Sequence, residues 1–126
     1  MRTPGYGAYQ QVQTETSSPA DLITLLYGAL QNDLQAAEAG LVSGDYQLVH
    51  QRLTRAQAIV LELTASLDHS QGELPKQLAA LYEYVYERLV FANVHKDVEA
   101  VRVAATVVQP IAEAWTQVTR LAQGVA

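Results

Sequence analysis

The chain has no cysteine, which excludes a disulfide framework, a thiolate metal site and a cysteine nucleophile, and suits a reducing cytoplasm. Cations are scarce too: eight Lys and Arg stand against thirteen Asp and Glu, for a formal charge of -5. Binding to phosphates requires clustered Lys and Arg that release counterions, so no nucleic-acid partner is expected, and an anionic membrane surface is disfavoured for the same reason. The sequence opens on no apolar signal core and never approaches the roughly 18 to 20 uninterrupted apolar residues of a membrane span. A soluble, cytoplasmic protein without membrane insertion is therefore expected.

Markers of catalysis are equally sparse. His50, His69 and His95 stand far apart, with no pair at i, i+4 and no Glu-x-x-His motif, so neither a metal nor a cofactor is expected. There is no phosphate-cradling glycine loop and no nucleophile elbow. Asp33 and Glu62 lie near the core edges of their segments and could form an acid/base pair, but a solvated or hydrogen-bonded flank is the simpler reading. No catalytic residue is assigned.

What the chain does hold is apolar surface in helical register. Its 126 residues, 49% hydrophobic and 17% charged, suit one globular domain with a single core. Residues 1–17, rich in Gly, Gln, Thr and Ser, show no helical period and read as a flexible N-terminal arm. Within it Tyr6, Tyr9 and Val12 recur every three residues, as anchors that could dock on a groove or as part of a frayed tail. The bundle is expected to occupy residues 18–126.

Ser18-Pro19-Ala20-Asp21 is a helix start, with Ser able to cap the free amides and Pro suited to the first turn. From there Ile23, Leu26, Leu30, Leu34, Ala37 and Leu41 step by three and four over roughly 19–42, and Gly44 ends the run. Gly28 within this helix suggests the close approach of another backbone. Asp45 caps a second helix whose core positions are Tyr46, Val49, Leu53, Ala56, Val60, Leu63 and Leu67. Pro75 opens a third, running to about Val94, with Leu78, Leu81, Val85, Leu89 and Ala92 on its core face and Tyr82 beside it.

Asp97 caps a fourth helix, with Val98, Val101, Ala105, Val108, Ala112 and Trp115 facing inward. Pro110 should kink it or split it in two. Four such segments joined by short turns make an all-α, up-down antiparallel four-helix bundle.

Two of these helices carry more apolar surface than a core needs. At about 100° per residue, Tyr84 and Phe91 lie on one flank of the third helix, and Val103, Val107, Ala114, Val118 and Leu121 form a second line on the fourth. Both flanks are displaced in the same rotational sense. Antiparallel neighbours meeting on that side would share an outer groove fit for a partner's amphipathic helix. Tyr84, Phe91, Val103, Val107, Val118 and Leu121, with Tyr6, Tyr9 and Val12 of the arm, are the candidate partner-binding residues.

The residues also match a known pattern. Tyr9-x-x-Val12, Ser18-Pro19-x-x-Leu22-Ile23-x-x-Leu26-Tyr27, Leu53-x-Arg55-Ala56-x-x-Ile59-Val60-x-Glu62-Leu63-x-x-Ser66-Leu67-Asp68, Gly72-Glu73, Leu78-x-x-Leu81-Tyr82-x-Tyr84-x-x-x-Arg88-Leu89-x-x-Ala92-Asn93-x-x-x-Asp97 and Trp115 occur in that order. This ordered set closely resembles the flagellar secretion chaperone FliS family, over nearly the whole chain. Gly28-Ala29, Arg55 and Pro110 depart from the family's usual pattern.

The resemblance implies a cytoplasmic bacterial export chaperone without catalysis, which holds the C-terminal segment of flagellin and prevents its polymerisation before secretion. It further implies an N-terminal arm, here carrying Tyr6 and Tyr9, that occupies part of the binding surface when cargo is absent. Export-gate components or a co-chaperone are possible further partners, and the free protein is expected as a monomer or weak homodimer. The competing reading is a helical adaptor whose surplus apolar face mediates its own dimerisation.

Overall fold

Local chemistry sets where each helix begins and ends. In a computed structural model of the protein, which describes residues 18–124, the elements are α1 (Pro19–Ser43), α2 (Tyr46–Ala65), a single 3-10 turn (His69–Gln71), α3 (Glu73–His95) and α4 (Val98–Gly124). The Ser18 hydroxyl accepts a hydrogen bond from the Asp21 amide at 3.1 Å and so satisfies one of the free donors at the start of α1. Gly44, at φ 82°, stops α1 in the left-handed conformation that glycine adopts without strain. Asp45 then accepts from the Leu48 amide to start α2, and Asp97 accepts from the Glu99 amide at the start of α4.

Connections this short force successive helices to run antiparallel. Each helix packs on its neighbours in the chain, and α4 closes the ring against α1. The architecture is the expected all-α, up-down four-helix bundle, and no strand occurs among the described residues. No described helix is long and apolar enough to cross a membrane.

The core is built from Leu26, Leu30, Leu34 and Ala37 of α1, Val49, Leu53, Ala56, Ile59, Val60 and Leu63 of α2, Tyr82, Val85, Leu89 and Ala92 of α3, and Ala100, Val101, Ala104, Val108 and Ala112 of α4. Several positions differ from the periodic expectation. On α3 Tyr82 takes the core place assigned to Leu81, which is 40% exposed, because the Tyr82 hydroxyl has a buried partner in Tyr27. On α4 Ala104 is buried and Ala105 only half-buried, while Tyr46, at the first turn of α2, is exposed.

Gly28 makes no close approach: a Cβ there would meet nothing within 4 Å. The close contact is at Gly40, where a Cβ would stand 2.8 Å from Val49 Cγ2 and 3.2 Å from the Asp45 carbonyl oxygen. Gly40 thus lets α1 and α2 converge at their connection. α4 is one continuous helix through Pro110 rather than two shorter ones.

Asp33 is not a solvated flank. It is wholly buried at the α1–α2 seam, where Oδ1 accepts from Arg52 Nη1 at 3.1 Å and Oδ2 stands 3.2 Å from Arg55 Nε. Burial raises the Asp33 carboxyl above its ordinary range, against the pull of Arg55 and Arg52.

Candidate functional site: an apolar cleft between α3 and α4

An open cleft of about 340 Å³ lies between the start of α3 and the second half of α4. Leu74 and Leu78 form one wall, while Pro110, Ile111, Ala114, Trp115 and Val118 form the other, and Tyr27 of α1 lies between them. Helical geometry gives the reason. At about 100° per residue, Ile111, Ala114 and Val118 fall on a single flank of α4, beside the inward line of Val108, Ala112 and Trp115.

Trp115 is the pivot of the site. Its indole packs against Tyr27, with ring centroids 6.4 Å apart and planes at 49°, and its Nε1 donates to Thr24 Oγ1 at 2.8 Å. The sequence reading sent this side chain into the core. It stops half-buried at the edge, since the indole N–H needs an acceptor and finds one on the outer part of α1. Tyr27 itself is buried and hydrogen-bonded to Tyr82. Its hydroxyl is therefore engaged within the bundle, and the cleft surface is almost wholly apolar.

The other side of α4 differs in chemistry. Two hollows there are bounded by Gln31, Gln35, Glu38 and Gln109, and by Gln31, Glu113, Thr116, Gln117 and Arg120. Arg102 bridges this α1–α4 seam, donating to Glu38 at 2.8 Å. One flank of α4 is thus polar and paired with α1, and the other is apolar and open beside α3.

Of the candidate residues, Val118 lines the cleft and is 58% exposed. Leu121, on the next turn, is exposed, as are Tyr84 and Val103. Val107 and Phe91 are half-buried and pack against the core, so Val107 does not point clear of it as the rotational argument required. Phe91 is further covered by the Arg88 guanidinium, 4.7 Å from its ring centroid, and stacks with His95. Tyr84, Phe91, Val103, Val107 and Leu121 do not line the cleft. Tyr6, Tyr9 and Val12 lie outside the described residues.

Sequence reasoning missed Leu74, Leu78, Pro110 and Ile111 as cleft residues. Leu78 was read as core and Pro110 only as a helix breaker. The available signal was apolar residues at both antiparallel ends, Leu74 and Leu78 opposite Ile111 and Val118, in a place where no other helix remains to cover them. No group of three or more His, Cys, Asp or Glu able to hold a metal ion occurs among the described residues.

Comparison with known proteins bears on what such a cleft serves. The family model for the flagellar protein FliS matches residues 2–122. The chain is 34% identical over 121 residues to the flagellar secretion chaperone FliS of Salmonella typhimurium, covering 91% of this chain and 90% of the relative. It is 31% identical over 112 residues to the protein of that name from Bacillus subtilis, covering 89% and 84% of the two chains. Against the Escherichia coli counterpart it is 33% identical over 119 residues, covering 90% and 88%. With the match spanning all but the last two residues of the helical bundle, the chain belongs to the flagellar protein FliS family.

Proposed function

We propose that this protein is a cytoplasmic flagellar export chaperone that binds the C-terminal segment of flagellin and withholds it from polymerisation until secretion. The observation that carries this reading is the open apolar cleft between α3 and α4, in a chain whose relatives are secretion chaperones. A bundle of this size cannot cover that surface with its own described residues. An amphipathic segment laying its apolar face against α3 and α4 would bury it, and would hide its own assembly surface in doing so. Leu121, Tyr84 and Val103 are exposed apolar residues of the same two helices, where Phe91 and Val107 are half-buried against the core. The arm residues Tyr6, Tyr9 and Val12 are further candidates for contact with this surface or with the cargo.

The test is calorimetric titration with a peptide of the last ~40 to 50 residues of flagellin, two or three helices of ordinary length. A one-to-one complex with a negative heat-capacity change and an unfavourable entropy is expected, from apolar burial and ordering of the peptide. Absence of binding at micromolar concentration by the folded bundle would overturn the reading. If light scattering then showed a stable dimer of the free chain, the cleft would instead be a self-association surface.

A further inference from the structure

The wall of the cleft formed by α4 is held very differently along its length. Up to Ala112 the helix buries a residue at nearly every turn: Ala100, Val101, Ala104, Val108 and Ala112. From Glu113 to Gly124 it buries none. The change falls just after Pro110, which has no N–H, so the Thr106 carbonyl loses its partner four residues on and the helix has one rung fewer at that level.

Beyond this weak rung Ala112 is the last buried residue, and Trp115 ties the helix to α1 through its indole N–H on Thr24 Oγ1 and its ring on Tyr27. The Thr24 hydroxyl is used in both senses, since it donates to the Ala20 carbonyl at 3.0 Å while accepting from Trp115. It is therefore aimed by its own helix and well suited to hold the indole.

We propose that α4 beyond Pro110 is a hinged wall of the cleft, with Pro110 as the hinge and the Trp115–Thr24 hydrogen bond as its latch, and that the wall swings outward to admit cargo. The reason for the movement is where the latch stands: Trp115, which ties this part of α4 to Thr24, is itself a lining residue of the cleft, so a segment seated there meets the latch directly. Displacing the wall that carries Ile111, Ala114 and Val118 widens the cleft and lifts Ala112, the one buried residue beyond Pro110, with Ile111 and Trp115 at the core edge, while Ala100, Val101, Ala104 and Val108 stay in place. The hinge stands apart from the identity of the cargo, while its use in admission rests on the function proposed above.

Hydrogen exchange on the full chain tests the hinge directly, with no ligand present. Amides of residues 113–119 should exchange at least ~10-fold faster than those of residues 101–108, as expected for a unit that opens without global unfolding. Thr24→Val removes the latch oxygen and should speed exchange in 113–119 several-fold while leaving 101–108 unchanged. Pro110→Ala restores an N–H for the Thr106 carbonyl and should slow it. Equal protection of the two stretches, or variants that shift both alike, would overturn the hinge.

Stopped-flow association of the flagellin C-terminal peptide then tests admission. Thr24→Val should raise the association rate and Pro110→Ala lower it. Rates unchanged in both variants would overturn the admission step while the function stands, whereas a peptide that binds none of the proteins would overturn both.

Discussion

The phenolic oxygens of Tyr27 in α1 and Tyr82 in α3 hydrogen-bond to each other across the diagonal of the bundle, between helices that otherwise do not pack together. Both side chains are buried. The pair ties the floor of the cleft to the centre of the core.

Removing one hydroxyl of this pair should cost more than removing both. Tyr82→Phe leaves a buried phenol unpartnered at about 1 to 3 kcal/mol, whereas the double Phe variant should be nearly neutral. A double-mutant cycle by urea unfolding checks this. The pH response follows as well. Burial raises the pKa of both phenols, with the Tyr27 contact adding to the rise at Tyr82. Groups with raised folded pKa values contribute stability that is complete below the unfolded value of about 10 and is lost as the pH climbs through the folded ones. The wild type should therefore weaken above about pH 10, and the double Phe variant should weaken less.

Asp33 should behave in the same sense at the acid end. Its carboxyl is raised chiefly by burial, so the contribution it makes when protonated is complete below about pH 4 and is lost as the pH rises through its folded value. Asp33→Asn keeps the shape and one acceptor oxygen and removes the buried charge, while turning an amide NH₂ toward one of the two arginines. Relative to the wild type, it should gain ground in urea melts as the pH rises above about 4. Asp33→Ala, which leaves Arg52 and Arg55 facing a void, should lose about 2 to 3 kcal/mol at pH 7, held below the cost of a fully buried pair because both arginines reach solvent.

The two glycines of α1 should respond oppositely to alanine. At Gly28 the added methyl meets open space, and helix propensity should raise stability by about 0.5 to 1 kcal/mol. At Gly40 it meets Val49 and the Asp45 carbonyl, so overpacking of about 1 to 3 kcal/mol is expected. Thermal melts of the two variants, shifted in opposite directions, check the assignment of Gly40 as the convergence point.

Val118 and Val107 separate binding from folding. Val118→Asp places a carboxylate on an exposed cleft position and should change stability by no more than ~0.5 kcal/mol, while cargo would have to desolvate it and binding should fall. Val107→Asp puts the same charge on a side chain packed against the core, and should lower the melting temperature without any cargo. Equal melting of Val118→Asp and the wild type, with unchanged peptide affinity, would move the cargo surface elsewhere.

The helices, their caps and their order were legible because each rests on local chemistry: Ser18 and Asp45 on short-range hydrogen bonds, the apolar runs on a 3.6-residue period. On α4, Ile111, Ala114 and Val118 line the cleft beside α3, while Gln109 and Gln117 line hollows shared with α1. What escaped the sequence reading depended on partners distant in sequence. Tyr82 displaced Leu81 from the core because Tyr27 offers its hydroxyl a partner, and Asp33 was drawn inside by two arginines of another helix. Gly28 and Gly40 are indistinguishable by propensity, and only the path of α2 decides which one is crowded. Periodicity gives a direction around a helix but not a depth, which is why Val107 and Phe91 were placed too far out and Trp115 too far in.

The ring in which each helix packs on its chain neighbours, with α4 closing on α1, also sets the order of assembly. Three of the four seams join segments linked by a short turn, so they form at small cost in loop entropy and favour fast folding. The α1–α4 seam alone spans the length of the chain. On a ribosome it has to wait for α4 to emerge, so the first three helices present an open trough before the fourth arrives, and the cleft exists only once the last segment has docked.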